Sequence, residues 1–111
     1  MTEQLLHWQA TNGCVLCITA GPTSMVAHFD GDLDARSLPA VRDGLLRMCQ
    51  SGGDIVLDLW DVSILDLQAA RLFAALARRA YSQGIRVRLR APVRHLQAIV
   101  AAAATRPFLL A

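Results

Sequence analysis

Apolar and polar positions alternate most cleanly in "IRVRLR", where Ile85, Val87 and Leu89 face one way and Arg86, Arg88 and Arg90 the other. That period predicts a strand with one side on a core and the other in water or on a partner. "DIVLDLW" (54–60) is more continuously apolar, as an interior strand would be. Near the N-terminus, Asn12 and Gly13 separate "LLHWQAT" from "CVLCITA". Both residues tolerate positive φ, so the pair predicts a two-residue hairpin. Gly21, Pro22, Thr23 and Ser24 mark a second turn before "MVAHFD". The first thirty residues therefore read as three antiparallel strands, and the absence of formal charge from Gln4 to Phe29 suits a buried sheet.

Elsewhere the period lengthens. Leu38, Val41, Leu45 and Met48 recur at steps of three and four, predicting a helix with Ser37 as its cap and Pro39 in its first turn. Gly52 and Gly53 end it. A second helix is predicted over 67–82, with Leu67, Ala70, Phe73, Ala74, Ala77 and Tyr81 on its apolar face and Gly84 as its stop. "VRHLQAIVAAAA" after Pro92 predicts a third helix, and "PFLL" a final short strand. The order β-β-β-α-β-α-β-α-(β) implies an α/β fold. It calls for a mixed sheet of about four to six strands with helices mainly on one face. The reading is a single domain over 1–111, with antiparallel strands in 1–30 and an α/β core in 31–111.

Composition narrows the chemistry. Of 111 residues, 54% are hydrophobic and only 5% aromatic, so the core is aliphatic and alanine-rich. No apolar stretch approaches the roughly 20 residues of a membrane span, and the N-terminus carries Glu3 and no Arg, so a cytoplasmic protein is expected. Cys14 and Cys17 are placed on opposite faces of one strand, which disfavours a disulfide or a shared metal. With Cys49, they read as small core residues. No metal and no cofactor are implied. Net charge is +2, with six acids and three arginines in 1–55 against three acids and eight arginines in 56–111. Every positive side chain is arginine.

"VAHFDGDLDARSLPAVRDGLL" resembles the strand, acidic turn and helix of STAS domains, the family of anti-sigma-factor antagonists, with Gly31, Asp32, Leu33 and Asp34 in the turn. "DIVLDLWDVSILD" resembles the same family's second signature, a strand and loop ending in Asp. In antagonists the loop continues Asp-Ser-Ser-Gly and its first Ser is phosphorylated by an anti-sigma kinase. Here the Asp is Asp66 and the acceptor position holds Leu67, followed by Gln68 and Ala69. The resemblance thus implies a switch loop without its switch. It implies docking of loop 61–71 and turn 31–34 onto an anti-sigma factor, with Asp32, Asp34, Asp61, Ser63, Asp66, Leu67, Gln68 and Arg71 as the partner-binding set. Ser63 is the loop's only hydroxyl. The chain stops where the family often adds another helix, which leaves a homodimer or a partner's helix open.

From the residues alone, Asp66 is first a helix N-cap, and Asp58 a hydrogen-bonded carboxylate within its strand. Asp30, Asp32 and Asp34, with Asp61 and Asp66, are expected to form an acidic rim at the strand ends, where α/β sheets bind ligands. Leu67 reads equally as core or as an exposed anchor. A phosphoryl-accepting receiver is disfavoured, since receivers place a lysine late in the sheet and this chain has none. His7, His28 and His95 fall on three separate elements with no nucleophile setting, so no enzyme is expected. Arg78, Arg79, Arg86, Arg88, Arg90 and Arg94 lack interleaved aromatics, which argues against nucleic acid as a partner. Two roles remain: an antagonist-like regulator of transcription, or a structural subunit of a larger assembly such as a signalling scaffold or a lipid-transporting ABC complex.

Overall fold

The elements follow in the order β1 (Glu3–Gln9), β2 (Val15–Ala20), β3 (Ser24–Leu33), α1 (Leu38–Gln50), β4 (Asp54–Leu65), α2 (Leu67–Ser82), β5 (Val87–Arg90), α3 (Val93–Ala102) and β6 (Leu109–Leu110). They belong to a computed structural model that describes residues 3–9, 15–21, 23–50, 52–102 and 109–110. The predicted Asn12-Gly13 turn, Cys14 and Pro22 lie outside the described residues.

The six strands form one sheet in chain order, β1-β2-β3-β4-β5-β6. β1, β2 and β3 pair antiparallel, whereas β3, β4, β5 and β6 pair parallel. Each helix therefore connects two neighbouring parallel strands, and every crossover steps the same way. Right-handed crossovers of that kind stack α1, α2 and α3 on one face, where α2 packs against both α1 and α3. Among the described residues, the other face carries no helix.

Register shows how the alternation sorts the side chains. Ile18, Ala27, Leu57 and Leu89 are successive cross-strand partners, all buried under the helices. One position along, Cys17, His28, Asp58 and Arg90 make a second row. Because neighbouring rows point to opposite faces, this polar row lies on the helix-free side. Val41, Leu45 and Met48 of α1 meet the core as the helical stripe predicts. Phe29 of β3 and Phe73 of α2 lock sheet to helix, their rings edge to face at 5.4 Å and 78°.

Several expectations change. Cys49 is buried, but Cys17 is only partly buried and belongs to the helix-free row, so it is not a core residue. The stripe on α2 is buried only in its middle: Leu67 and Tyr81 are exposed, because they sit at the helix ends. Ser37 precedes α1 as expected, but its hydroxyl turns back to accept from Asp34 N–H (3.3 Å) and donate to Asp34 C=O (3.0 Å). The segments expected as a turn at 31–34 and a loop from 61 are mostly strand, since β3 continues to Leu33 and β4 to Leu65.

Candidate functional site

Pairing between β3 and β4 slips twice, between His28 and Asp30 and between Gly31 and Asp32. Each slip puts one extra residue into β4: His28 faces Asp58 but Asp30 faces Asp61, and Gly31 faces Val62 but Asp32 faces Ile64. Both bulges show in the burial pattern, where Trp60 and Asp61, then Ser63 and Ile64, are exposed as consecutive pairs. Opposite them Gly31 takes φ 98°, a left-handed conformation that favours glycine and the local bend of a bulge. Strict alternation would have turned Val62 outward; the first bulge returns it to the core.

Regular register sets Asp58 beside His28, and the first bulge turns Asp61 to the same side of the sheet, so both flank the His28 ring. Nδ1 of His28 lies 3.2 Å from Oδ2 of Asp58, and Nε2 lies 3.0 Å from Oδ2 of Asp61. The second oxygen of Asp58 accepts from Trp60 N–H (3.2 Å). Asp58 is thus a hydrogen-bonded carboxylate, as expected, with His28 as its partner.

At the end of β4 the chain passes into α2 through Asp66. Its backbone is extended (φ −79°, ψ 173°) and its Oδ1 accepts from Ala69 N–H at 2.9 Å. That is an N-cap. Asp66 N–H also donates to Leu33 C=O (3.1 Å), tying the ends of β3 and β4 together. Asp66→Ala is expected to lose about 1 kcal/mol of stability, measurable by urea denaturation.

Leu67 begins α2 and is 58% exposed, which decides the ambiguity left by the sequence. It borders a groove of about 460 Å³ between α2 and α3, lined by Leu65, Asp66, Ala70, Arg71, Ala98 and Ala101 among others. Trp60 (59% exposed) and Ile64 (56%) lie along the last turns of β4, and exposed Val93 starts α3. All stand at the C-terminal end of the parallel strands. Sequence reasoning missed Trp60, Ile64 and Val93; simple alternation from Ile55, Leu57 and Leu59 already turns Trp60 and Ile64 outward, and was the signal that could have found those two.

The acidic rim divides into parts. Asp30 and Asp61 gather at His28. Asp34 receives Arg36, with Nη2 at 2.8 Å from Oδ2 and Nε at 3.3 Å from Oδ1, and this holds the guanidinium still more firmly protonated. Asp66 is committed to its cap. Ser63, Gln68 and Arg71 are exposed around Leu67. Of the eight predicted residues, Asp61 stands at His28; Asp66, Leu67 and Arg71 line the groove; Asp34 is paired with Arg36, Asp32 is partly buried, and Ser63 and Gln68 are exposed.

Other reactive side chains serve the fold. His95 is buried, its Nε2 2.7 Å from Val62 C=O, so α3 grips the bulged part of β4. Burial pushes the Cys49 thiol above its ordinary range, with Arg79 pulling slightly the other way, which makes it a poor nucleophile. Of the arginines, Arg86 pairs with Asp54 at 3.1 Å, and Arg88 and Arg90 continue along the helix-free face. No helix among the described residues is long and apolar enough to cross a membrane.

Comparison with known proteins gives the same fold. The family model described as "Mlab, STAS domain" matches residues 18–107. An anti-sigma factor antagonist from Mycobacterium paratuberculosis superposes with a TM-score of 0.68 at 19% identity, covering 92% of this chain and 90% of that one. The unphosphorylated form of the anti-sigma factor antagonist SpoIIAA gives 0.67 at 12% identity, over 100% and 87% of the two chains. SiaC of Pseudomonas aeruginosa gives 0.57 at 17% identity, over 100% and 96%. No match was found among curated proteins.

Proposed function

Because the chain belongs to the STAS domain family, we propose that it is a non-enzymatic protein-interaction module of the anti-sigma-factor-antagonist type, one that is not switched by phosphorylation at the usual position. It docks through the end of the sheet that carries Asp32, Asp34, Asp61, Ser63, Asp66, Leu67, Gln68 and Arg71. The observation that carries this reading is the exposure of Leu67 beside an apolar groove. A leucine has no hydroxyl to phosphorylate. Left in water at a helix start, it gains by transfer into a partner, at about 25 cal/mol for each Å² buried. Asp66 and Arg71, which line the same groove, supply a polar rim around that centre, the usual anatomy of a protein interface. Regulation then falls to abundance or another signal, and the protein acts in the cytoplasm. Incubation of the protein with ATP and an anti-sigma serine kinase is expected to add no phosphate to residues 63–70, by peptide mass spectrometry. An 80 Da shift there (the mass of one phosphoryl group, about 80 Da) would refute the reading.

A second reading is a permanent subunit of a larger assembly, such as a signalling scaffold or a lipid-transport ABC complex. The same apolar groove favours it, since a surface that cannot be switched suits a constitutive contact. Purification from native cells separates the two: an anti-sigma factor binds reversibly, whereas a transporter ATPase stays bound through every step.

A further inference from the structure

We propose that His28, Asp30 and Asp61 form a binding site for a divalent transition-metal ion of the Zn²⁺ class, on the helix-free face of the sheet. The ligand atoms of these three residues all lie within 4.8 Å of one another. Bonds of about 2.1 Å to nitrogen and oxygen would set tetrahedral ligands about 3.4 Å apart, close to the 3.0 Å between His28 Nε2 and Asp61 Oδ2.

The imidazole is what separates this group from an ordinary patch of surface acids. It has a carboxylate oxygen at each nitrogen, Asp58 at Nδ1 and Asp61 at Nε2. A neutral ring carries one N–H and satisfies one of them. With an N–H on Nδ1 donated to Asp58, the Nε2 lone pair faces Asp61, so that nitrogen and that carboxylate can ligate one ion held between them. Asp58 then has the position of the carboxylate that holds a metal-binding histidine in its tautomer and raises its basicity. Asp58 is itself oriented by Trp60 N–H.

Ligand type chooses among the ions. One imidazole with two carboxylates suits Zn²⁺ and its neighbours, whereas Mg²⁺ and Ca²⁺ prefer oxygen alone. The His28 and Asp61 side chains are partly open, 39% and 59% exposed, which leaves room for water ligands. The ion would bridge β3 and β4 across the first bulge. Asp61 also belongs to the proposed docking set, but the metal site rests on its own geometry and is tested without a partner.

The test is titration of the full chain with Zn²⁺ by calorimetry, at low salt and neutral pH. One saturable site, binding one Zn²⁺ per chain, is expected. It should be lost in His28→Ala and weakened roughly 10–100-fold in Asp58→Asn, which acts only by positioning the ring. His7→Gln and Cys17→Ser should bind as wild type does. Both lie in the same cross-strand row, so they control for other donors. Co²⁺ loaded at the site should show visible bands without thiolate charge transfer. Absence of saturable binding in the wild type, equal binding by His28→Ala, or a thiolate band would each overturn the proposal. So would nitrogen NMR showing His28 protonated on both nitrogens with Zn²⁺ present, because the second cation would then be a proton.

Discussion

Phe73→Ala is expected to lower the unfolding free energy by about 3–5 kcal/mol, the largest effect of any single truncation considered. Phe73 is buried on the middle of α2 and meets Phe29 edge to face at 5.4 Å. The surroundings are alanines and short aliphatics, Ala69, Ala70 and Ala77 among them, which have little freedom to collapse into a cavity. A domain of this size has about 5–15 kcal/mol in total, so the variant should melt roughly 10–20 °C lower. Thermal unfolding by circular dichroism checks it. A shift under about 5 °C would mean that the contact between α2 and the sheet is looser than described. Phe29→Leu and Phe73→Leu, alone and together, should show a coupling of about 0.5–1.5 kcal/mol for the ring pair.

Leu67→Asp should have the opposite profile: a large effect on binding and almost none on stability. Truncating a central apolar anchor commonly weakens binding by 2 kcal/mol or more, about 30-fold, and burying a charge in its place adds to that. A loss of at least about 100-fold in Kd is therefore expected. The folded chain should tolerate the change because Leu67 is exposed. It should even gain a few tenths of a kcal/mol, since α2 has no acid in its first turn and its N-terminus favours one. Titration calorimetry against the purified partner, with melting temperatures alongside, separates the two effects. A lower melting temperature would place Leu67 among the core contacts and remove it from the interface.

The middle of each element was legible in the chain, and the ends were not. Val41, Leu45 and Met48, or Ile85, Val87 and Leu89, follow their periods because burial on one side of a regular element leaves no other arrangement. Leu67 and Tyr81 obey the same helical period yet project past the sheet, which periodicity along one helix cannot reveal. In β4 the alternation fails at Trp60–Asp61 and again at Ser63–Ile64. A bulge has no residue code of its own, and its one visible trace, Gly31, lies on the partner strand. The His28 clamp was hidden for a related reason. Its carboxylates are 30 and 33 positions away: regular register sets Asp58 opposite the ring, and the first bulge turns Asp61 to the same side. Asp66 was legible throughout, because capping is local chemistry.

The central claim, that the Leu67 surface is a constitutive docking site for an anti-sigma factor, is most directly tested by affinity capture from native lysate of the source cells. Wild type and Leu67→Asp are run in parallel, with captured proteins identified by mass spectrometry and both baits matched for melting temperature. The account predicts that wild type retains an anti-sigma factor, without added kinase or phosphatase, and that Leu67→Asp loses it. Retention of the same partner by Leu67→Asp would contradict the placement of the interface. Capture of a transporter ATPase in its place would contradict the antagonist role and favour the structural-subunit reading.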